Sequence, residues 1–126
     1  MNKRRVEQLI PKAINLLNDN KEINNKEKGG IDKKFRSKIS SFGAAVTMGS
    51  FKSAVAFFSE QNNSDVQRDE LIKMMYNLYT GEQVESAKTV LIAVANADEA
   101  TLADMKAFFI DASIAIKLAL NAFNLI

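Results

Sequence analysis

The side chains in this sequence that could take part in catalysis are carboxylates, lysines, tyrosines and serines, because it contains neither His nor Cys. The commonest general bases, nucleophiles and metal ligands are therefore missing. Acidic residues at a helix start complement the helix dipole without doing any chemistry. The carboxylates cluster at two such predicted starts, namely Asp65, Asp69 and Glu70, then Asp98, Glu99 and Asp104. We therefore expect no enzyme, no metal site and no cofactor.

The basic residues indicate a different chemistry, contact with a polyanion. Residues 1–52 carry 12 Lys/Arg against 5 Asp/Glu, a net charge of +7, whereas residues 53–126 carry 5 against 10, a net charge of −5. Such polarity favours one surface for a polyanion and another for protein partners. The alternative, that the charges segregate along the chain and mix in space, stays open at this stage.

Apolar residues recur at helical spacing along nearly the whole chain, and no strand alternation competes with them. A length of 126 residues suits one domain with one hydrophobic core. The pattern predicts an all-α, single-domain bundle of about five to six helices over residues 1–126, with a long C-terminal helix. The predicted helical segments lie near 6–17, 32–48, 51–60, 64–81, 84–94 and 98–126.

Turn and cap residues separate these segments. The polar, Gly-ended stretch Asn18–Gly30 is typical of a mobile loop, and Pro11 is expected to kink or restart the first helix. Gly49 suits a left-handed residue at a helix end, and Ser50 suits an N-cap. Two further starts are predicted at the capping box Ser64–Gln67 and at Asp98.

The segment 108–126 raises the question of a membrane span, since Asp111 and Lys117 are its only charged side chains. A polar stripe at helical spacing, formed by Lys106, Ser113, Lys117 and Asn124, argues against a lipid-facing helix. We predict instead the central helix of the bundle, and no membrane partner. The sequence has no Cys, and its start lacks the pattern of a secretory signal, so a cytoplasmic location is expected.

The stretch Phe35–Glu60 reads FRSKISSFGAAVTMGSFKSAVAFFSE and has two candidate modes of contact. A helix-turn-helix would place Gly49 between two helices, but a recognition helix needs several polar side chains for base edges. After Gly49, only Ser50, Lys52 and Ser53 precede the apolar run AVAFF. The segment 51–60 is almost wholly apolar, which predicts burial on most of its sides.

The other mode uses the outer face of the helix near 32–48. Phe35, Ile39, Phe42 and Val46 form its buried stripe, and the opposite side is small and basic at its margins. Small side chains allow close approach, and Ser hydroxyls beside cations suit phosphate oxygens. A covering helix would use the same small residues equally well. The outer face consists of Lys33, Ser37, Ser40, Ser41 and Ala44, with Lys34 and Arg36 at its edges.

The block FRSKISSFGAAVTMGSFKSAVAFFSEQ, with RVEQLIPKAINLL before it and RDELIKMMYNLYTG after it, resembles the small helical subunit of the type III-B CRISPR effector, the Cmr complex. In that family, a helix of the form aromatic-x-S-K-apolar-S-S-F-G-A precedes a glycine and a short A-x-A-F helix. The run Ile114–Lys117 resembles the family's last helix. Two features depart from it: there is no Trp, and Leu118 replaces a second basic residue that an RNA contact there would use.

The resemblance implies a non-catalytic subunit that stacks, with copies of itself, along the backbone subunits of an RNA-guided complex. It would help to hold guide RNA and target RNA for antiviral defence, while the catalytic activities belong to other subunits. The alternative is a helical protein–protein adaptor without nucleic-acid contact. Together with the charge tally, the resemblance predicts RNA contacts from Lys33, Lys34, Arg36 and Lys52, with Arg4 and Arg5 as further contributors.

Overall fold

The computed structural model describes residues 1–60 and 66–126, and helices account for most of both segments. The predicted all-α fold with a long C-terminal helix is confirmed. The elements are α1 (Lys3–Asp19), β1 (Asn24–Asn25), β2 (Gly30–Ile31), α2 (Lys34–Met48), α3 (Phe51–Phe58), α4 (Val66–Thr80), α5 (Ala87–Ala95) and α6 (Glu99–Ala119), followed by a 3-10 turn at Leu120–Ala122.

Helix α6 is the central helix of the bundle, as predicted, and packs against α1, α2 and α4. Its predicted apolar arc is buried at Met105, Phe109 and Ile116, whereas Phe108 and Phe123 remain partly exposed. The predicted polar stripe is wrong at Ser113, which is buried and donates its hydroxyl to the Ile110 carbonyl. A helical hydroxyl can satisfy itself in this way, so it need not face solvent.

The predicted loop 18–30 contains a short hairpin, which hydrogen bonds from its own side chains and from its neighbours stabilise. The Asn20 carboxamide oxygen accepts from the backbone N–H groups of Glu22 and Ile23, and β1 pairs with β2 in antiparallel register. Ile31 is fully buried and exchanges backbone hydrogen bonds of 2.9 and 2.8 Å with the C-terminal segment 124–126. The C-terminal helix ends earlier than expected, at Ala119, and the 3-10 turn leads from it to this pairing.

Gly30 is required by this arrangement, since a Cβ there would collide with the Asn124 carbonyl. The Asn124 side chain fixes the same approach by donating to the Gly29 carbonyl at 3.0 Å. The close contact joins β2 to the chain end. The hairpin is therefore part of the packed structure.

The local cap predictions have mixed outcomes. Ser50 and Asp98 are N-caps, accepting from the backbone N–H groups of Ser53 and Thr101 at 3.1 and 2.7 Å. The prediction that Gly49 adopts a left-handed conformation is wrong, because its φ is −122°. The predicted cap Ser64 lies outside the described residues.

Two helices differ from expectation. Helix α1 continues through Pro11 from Lys3 to Asp19, so the proline does not restart it. Helix α3 is shorter than predicted and is buried on one side only, because Phe57 and Ala56 face solvent. Its buried side packs against α2, α4 and α5.

Asp98 provides a pH-dependent test of this fold. The hydrogen bond from the Thr101 backbone N–H holds the pKa of Asp98 below its usual value of 3.8. A lowered folded-state pKa contributes stability above the unfolded value, and that stability is lost as pH falls through the folded value. We expect Asp98→Asn to be less stable than the parent at neutral pH, with the gap closing under acid.

Urea unfolding across a pH series measures this gap. Glu99→Gln is the matched control, because Glu99 is also acidic and lies in the first turn of α6 but is not its cap. A gap for Asp98→Asn that stays constant into acid would contradict the assignment.

Candidate nucleic-acid interface

Helix α2 presents two different faces, and its predicted phase is confirmed. Phe35, Ile39, Phe42 and Val46 are all buried. The ring of Phe42 meets that of Phe58 edge-on, with centroids 5.4 Å apart. These contacts fix the rotation of α2 and therefore determine which residues face outward.

The outer face of α2 is open to solvent. Its small residues Ser37, Ser40, Ser41 and Ala44 are all exposed, and a Cβ built at Gly43 would meet nothing within 4 Å. No helix in the described part of the chain covers this face. We refer to Ser37, Ser40, Ser41 and Ala44 as the small face.

Helix α6 and the 3-10 turn that follows it supply a second row of polar side chains along the small face. The Lys117 ammonium donates to the Ser40 hydroxyl at 2.8 Å, and the Arg36 guanidinium donates to the Asn121 carboxamide at 2.8 Å. The two pairs show that α2 and α6 run in opposite directions. They also place Lys117 beside the predicted basic residues, which the sequence alone could not do because it does not give the register between the two helices.

Arg36 is partly buried and held in place by Asn121. Its Nε is buried and has no hydrogen-bond partner among residues 1–60 and 66–126. A guanidinium carries five N–H donors; the bond to Asn121 uses one and the Nε–H is buried, which leaves three N–H groups on the terminal nitrogens as spare donors. Arg36 therefore combines a fixed position with spare donors, which suits binding of an anion.

Lys33 and Lys34 lie at the N-terminal end of α2, and both side chains are exposed. The Asp32 carboxylate accepts from the Lys34 backbone N–H at 2.9 Å, so it caps this end while the lysine side chain stays outside. Lys52 is also exposed and lies in the first turn of α3. The predicted cations of α2 thus surround one end of the small face, and Lys52 lies on the next helix.

The two arginines of α1 differ from each other. Arg5 binds Asp111 through its Nε and one terminal nitrogen, both 2.8 Å from the same carboxylate oxygen, Oδ2. Its guanidinium also lies 5.1 Å from the ring centre of Phe108. Asp111 is almost fully buried, so Arg5 compensates a buried charge on α6. Arg4 is exposed. The geometry thus gives Arg5 a structural role and leaves Arg4 accessible on α1.

The first carboxylate group is tied into the packing between helices. Glu70 is buried, accepts from the Asn20 carboxamide at 3.1 Å and forms an ion pair with Lys73. Burial raises the pKa of Asp69, against the opposing effect of Lys73. Asp65 lies outside the described residues. These partners account for Glu70 without a ligand.

The second group is also held by local partners. Asp98 caps α6, Glu99 lies in its first turn, and Asp104 accepts from the Tyr79 hydroxyl at 3.0 Å. Burial and this bond raise the pKa of Tyr79. Across the described residues, no group of three or more His, Cys, Asp or Glu could hold a metal ion.

Comparison of the chain with known protein families, with curated proteins and with solved structures finds no match. Within the described ranges, no helix has both the length and the apolar character needed to cross a membrane.

Proposed function

We propose that this protein is a non-catalytic, RNA-binding subunit of a type III-B CRISPR effector complex. The observation that carries the proposal is the exposed small face of α2, bordered by Lys33, Lys34, Arg36 and Lys117. The SSFGA motif that resembles the Cmr small subunit lies in the same helix. The chemistry of these side chains and the sequence resemblance thus both support RNA binding by the exposed face of α2.

The chemistry of this surface suits the RNA backbone. Serine hydroxyls, ammonium groups and a guanidinium all bind phosphate oxygens, and small residues let the backbone come close. From Lys33 to the end of the small face at Ala44, this surface spans about 16 Å at the rise of an α-helix. Contacts to phosphate oxygens carry no base information, so we expect binding that is independent of RNA sequence.

Within such a complex, the subunit would contact the backbone subunits and further copies of itself while α2 faces guide RNA and target RNA. A cytoplasmic location in an antiviral system is part of the same proposal. Arg4 and Lys52 are exposed and belong to the proposed contact set. Arg5 is left out of that set because its guanidinium is bound to Asp111.

A second candidate function is a helical adaptor that binds protein alone. The observation that favours it is again the small face, because the open space at Gly43 would also admit a helix of another protein. An adaptor has no need for the cations around this face. RNA binding therefore separates the two candidates.

The test is binding of the isolated chain to two unrelated single-stranded RNAs, followed by fluorescence anisotropy between about 50 and 200 mM salt. We expect similar affinities for both RNAs and a linear fall of log K with log salt, because phosphate contacts release counterions. Absence of binding, or binding that salt does not weaken, would favour the adaptor.

The non-catalytic part of the proposal predicts that the protein leaves RNA and nucleoside triphosphates intact, with or without Mg²⁺ or Mn²⁺. The reason is the lack of His and Cys, together with Asp98 as a helix cap, Glu70 paired with Lys73 and Asp104 bonded to the Tyr79 hydroxyl. Incubation with labelled single-stranded RNA and with ATP checks this. Metal-dependent cleavage that is lost in Asp98→Asn or Asp65→Asn would overturn it.

A further inference from the structure

Two cations between α2 and the end of α6 are held by oxygen atoms that carry no charge. The Lys117 ammonium donates to the Ser40 hydroxyl, and the Arg36 guanidinium donates to the Asn121 carboxamide, each at 2.8 Å. Both bonds cross from one helix to the other element. They therefore orient the two cations without neutralising either of them.

The lack of a carboxylate partner distinguishes these cations from the others that are tied into the fold. Arg5, for example, forms an ion pair with the buried Asp111. Within residues 1–60 and 66–126, neither Arg36 nor Lys117 forms an ion pair. Two positive charges held at one place repel each other, so an anion between them is stabilised by both.

The two charged groups are placed so that one phosphate group can contact both. Ser40 follows Arg36 by one helical turn, which is about 6 Å along α2 at the α-helical rise. The Lys117 ammonium lies at Ser40, so it is offset from the guanidinium by about one turn. Arg36 keeps three N–H groups on its terminal nitrogens, and a guanidinium binds phosphate oxygens through such groups.

We infer that Arg36 and Lys117 form a clamp for one phosphate group, with Asn121 and Ser40 as the positioning residues that hold the two cations. This inference rests on the proposed function, in which the phosphate belongs to RNA, and it adds a defined phosphate site to that function. It also assigns a role to Asn121, an uncharged residue that a tally of charges does not identify. A fixed cation binds more tightly than a free one because it loses less conformational freedom on binding.

The charges next to the clamp favour a chain of phosphates over a single carboxylate of a protein partner. Lys33 and Lys34 are exposed at the N-terminal end of α2, the end nearer to Arg36. RNA carries a phosphate at every nucleotide, so one strand can occupy the clamp and also reach these lysines. A single carboxylate would leave them uncompensated.

The first experiment tests the clamp with inorganic phosphate and without RNA. The Arg36 Nε–H is buried, so its proton exchanges slowly with water and can be followed by NMR. Its resonance, identified by its absence in Arg36→Lys, should shift to saturation with sodium phosphate and stay in place with sodium chloride at equal ionic strength. Asn121→Ala should weaken this response. Asn15→Ala is the matched control, because Asn15 is exposed on α1, and it should respond like the parent.

The second experiment is a double-mutant cycle on RNA affinity. Asn121→Ala keeps the net charge, and we expect about threefold weaker binding, the scale of ordering one long side chain. In an Arg36→Ala background the same change should have no effect, whereas a purely structural role would weaken binding in both backgrounds. Thermal unfolding checks that each variant folds.

A third variant keeps the hydrogen bond to Arg36 and removes its free charge. Asn121→Asp supplies a carboxylate that pairs with the guanidinium and competes with phosphate, so it should bind RNA more weakly than Asn121→Ala. Asn15→Asp is the charge-matched control and should bind more tightly than Asn121→Asp. Equal binding by the two aspartate variants would overturn the clamp.

The outcomes separate the clamp from the function on which it rests. If the parent binds RNA in a salt-dependent manner but Asn121→Ala has no effect, or the same effect in both backgrounds, the clamp is wrong and the proposed function stands. If phosphate shifts the Arg36 resonance but the parent binds no RNA, the clamp takes free phosphate and the proposed function is overturned. If neither phosphate nor RNA binds, both proposals are overturned.

Discussion

Phe42→Ala is expected to lower the free energy of unfolding by about 3–5 kcal/mol, the usual cost of truncating a buried Phe. Phe42 is fully buried, and its ring packs edge-on against Phe58 of α3. The substitution leaves a cavity between α2 and α3 and removes an aromatic contact. A domain of this size has a total stability of only about 5–15 kcal/mol, so much of it would be lost.

Urea unfolding of the parent and of Phe42→Ala measures this loss. Ser41→Ala is the matched control, because Ser41 is the preceding residue on the same helix and faces solvent. Its stability should stay within about 0.5 kcal/mol of the parent. If Phe42→Ala unfolded like the parent and instead failed to assemble with partners, Phe42 would be an exposed anchor and the rotation of α2 would be wrong.

The second large effect concerns RNA affinity. Lys33→Ala/Lys34→Ala/Arg36→Ala removes three cations around the small face, and we expect it to weaken binding roughly tenfold or more at low salt. The loss should be similar for unrelated RNAs, since contacts to phosphate carry no sequence information. Anisotropy titrations with the two RNAs used for the parent measure it.

The matched control for this variant is Lys12→Ala/Lys21→Ala/Lys88→Ala. These three lysines are exposed and lie away from the small face in sequence. Replacing them lowers the net charge by three, the same amount as Lys33→Ala/Lys34→Ala/Arg36→Ala. The control should keep most of the affinity if binding requires the cations around the small face, whereas attraction that depends only on total charge would weaken both variants equally. Equal losses in both variants would mean that charge alone, without a defined surface, attracts RNA.

Features set by nearby residues could be predicted from the sequence. The buried stripe of α2 follows from 3.6-residue periodicity, and the caps Ser50 and Asp98 follow from side chains that reach their own helix starts. Each prediction involves residues within one or two turns of each other. Such contacts depend little on the rest of the fold.

Contacts between distant parts of the chain could not be predicted. The pair Lys117–Ser40 depends on how far α6 slides along α2, and the pair Arg5–Asp111 joins residues 106 positions apart. The hairpin at Ile31 pairs with residues 124–126, which lie more than 90 positions further along the chain. A periodic pattern identifies the buried side of each helix, but it does not give the register between two helices.

Helix α3 shows a related limit. Its sequence is nearly all apolar, so the pattern has no polar side with which to mark the exposed face. The packing of three helices on one side leaves Phe57 outside. An apolar run therefore predicts that a helix contacts something, but only the assembled bundle decides which residue stays accessible.

The central claim, that the α2 surface binds RNA through phosphate contacts, is tested most directly by the slope of log K against log salt. We would measure it for the parent, for Lys33→Ala/Lys34→Ala/Arg36→Ala and for Lys12→Ala/Lys21→Ala/Lys88→Ala with one single-stranded RNA. Each lost phosphate contact should make the slope less steep by about 0.7. The Lys33/Lys34/Arg36 variant should therefore flatten the slope by about two units, and the Lys12/Lys21/Lys88 variant should keep a slope close to that of the parent. Identical slopes for all three proteins would contradict the claim.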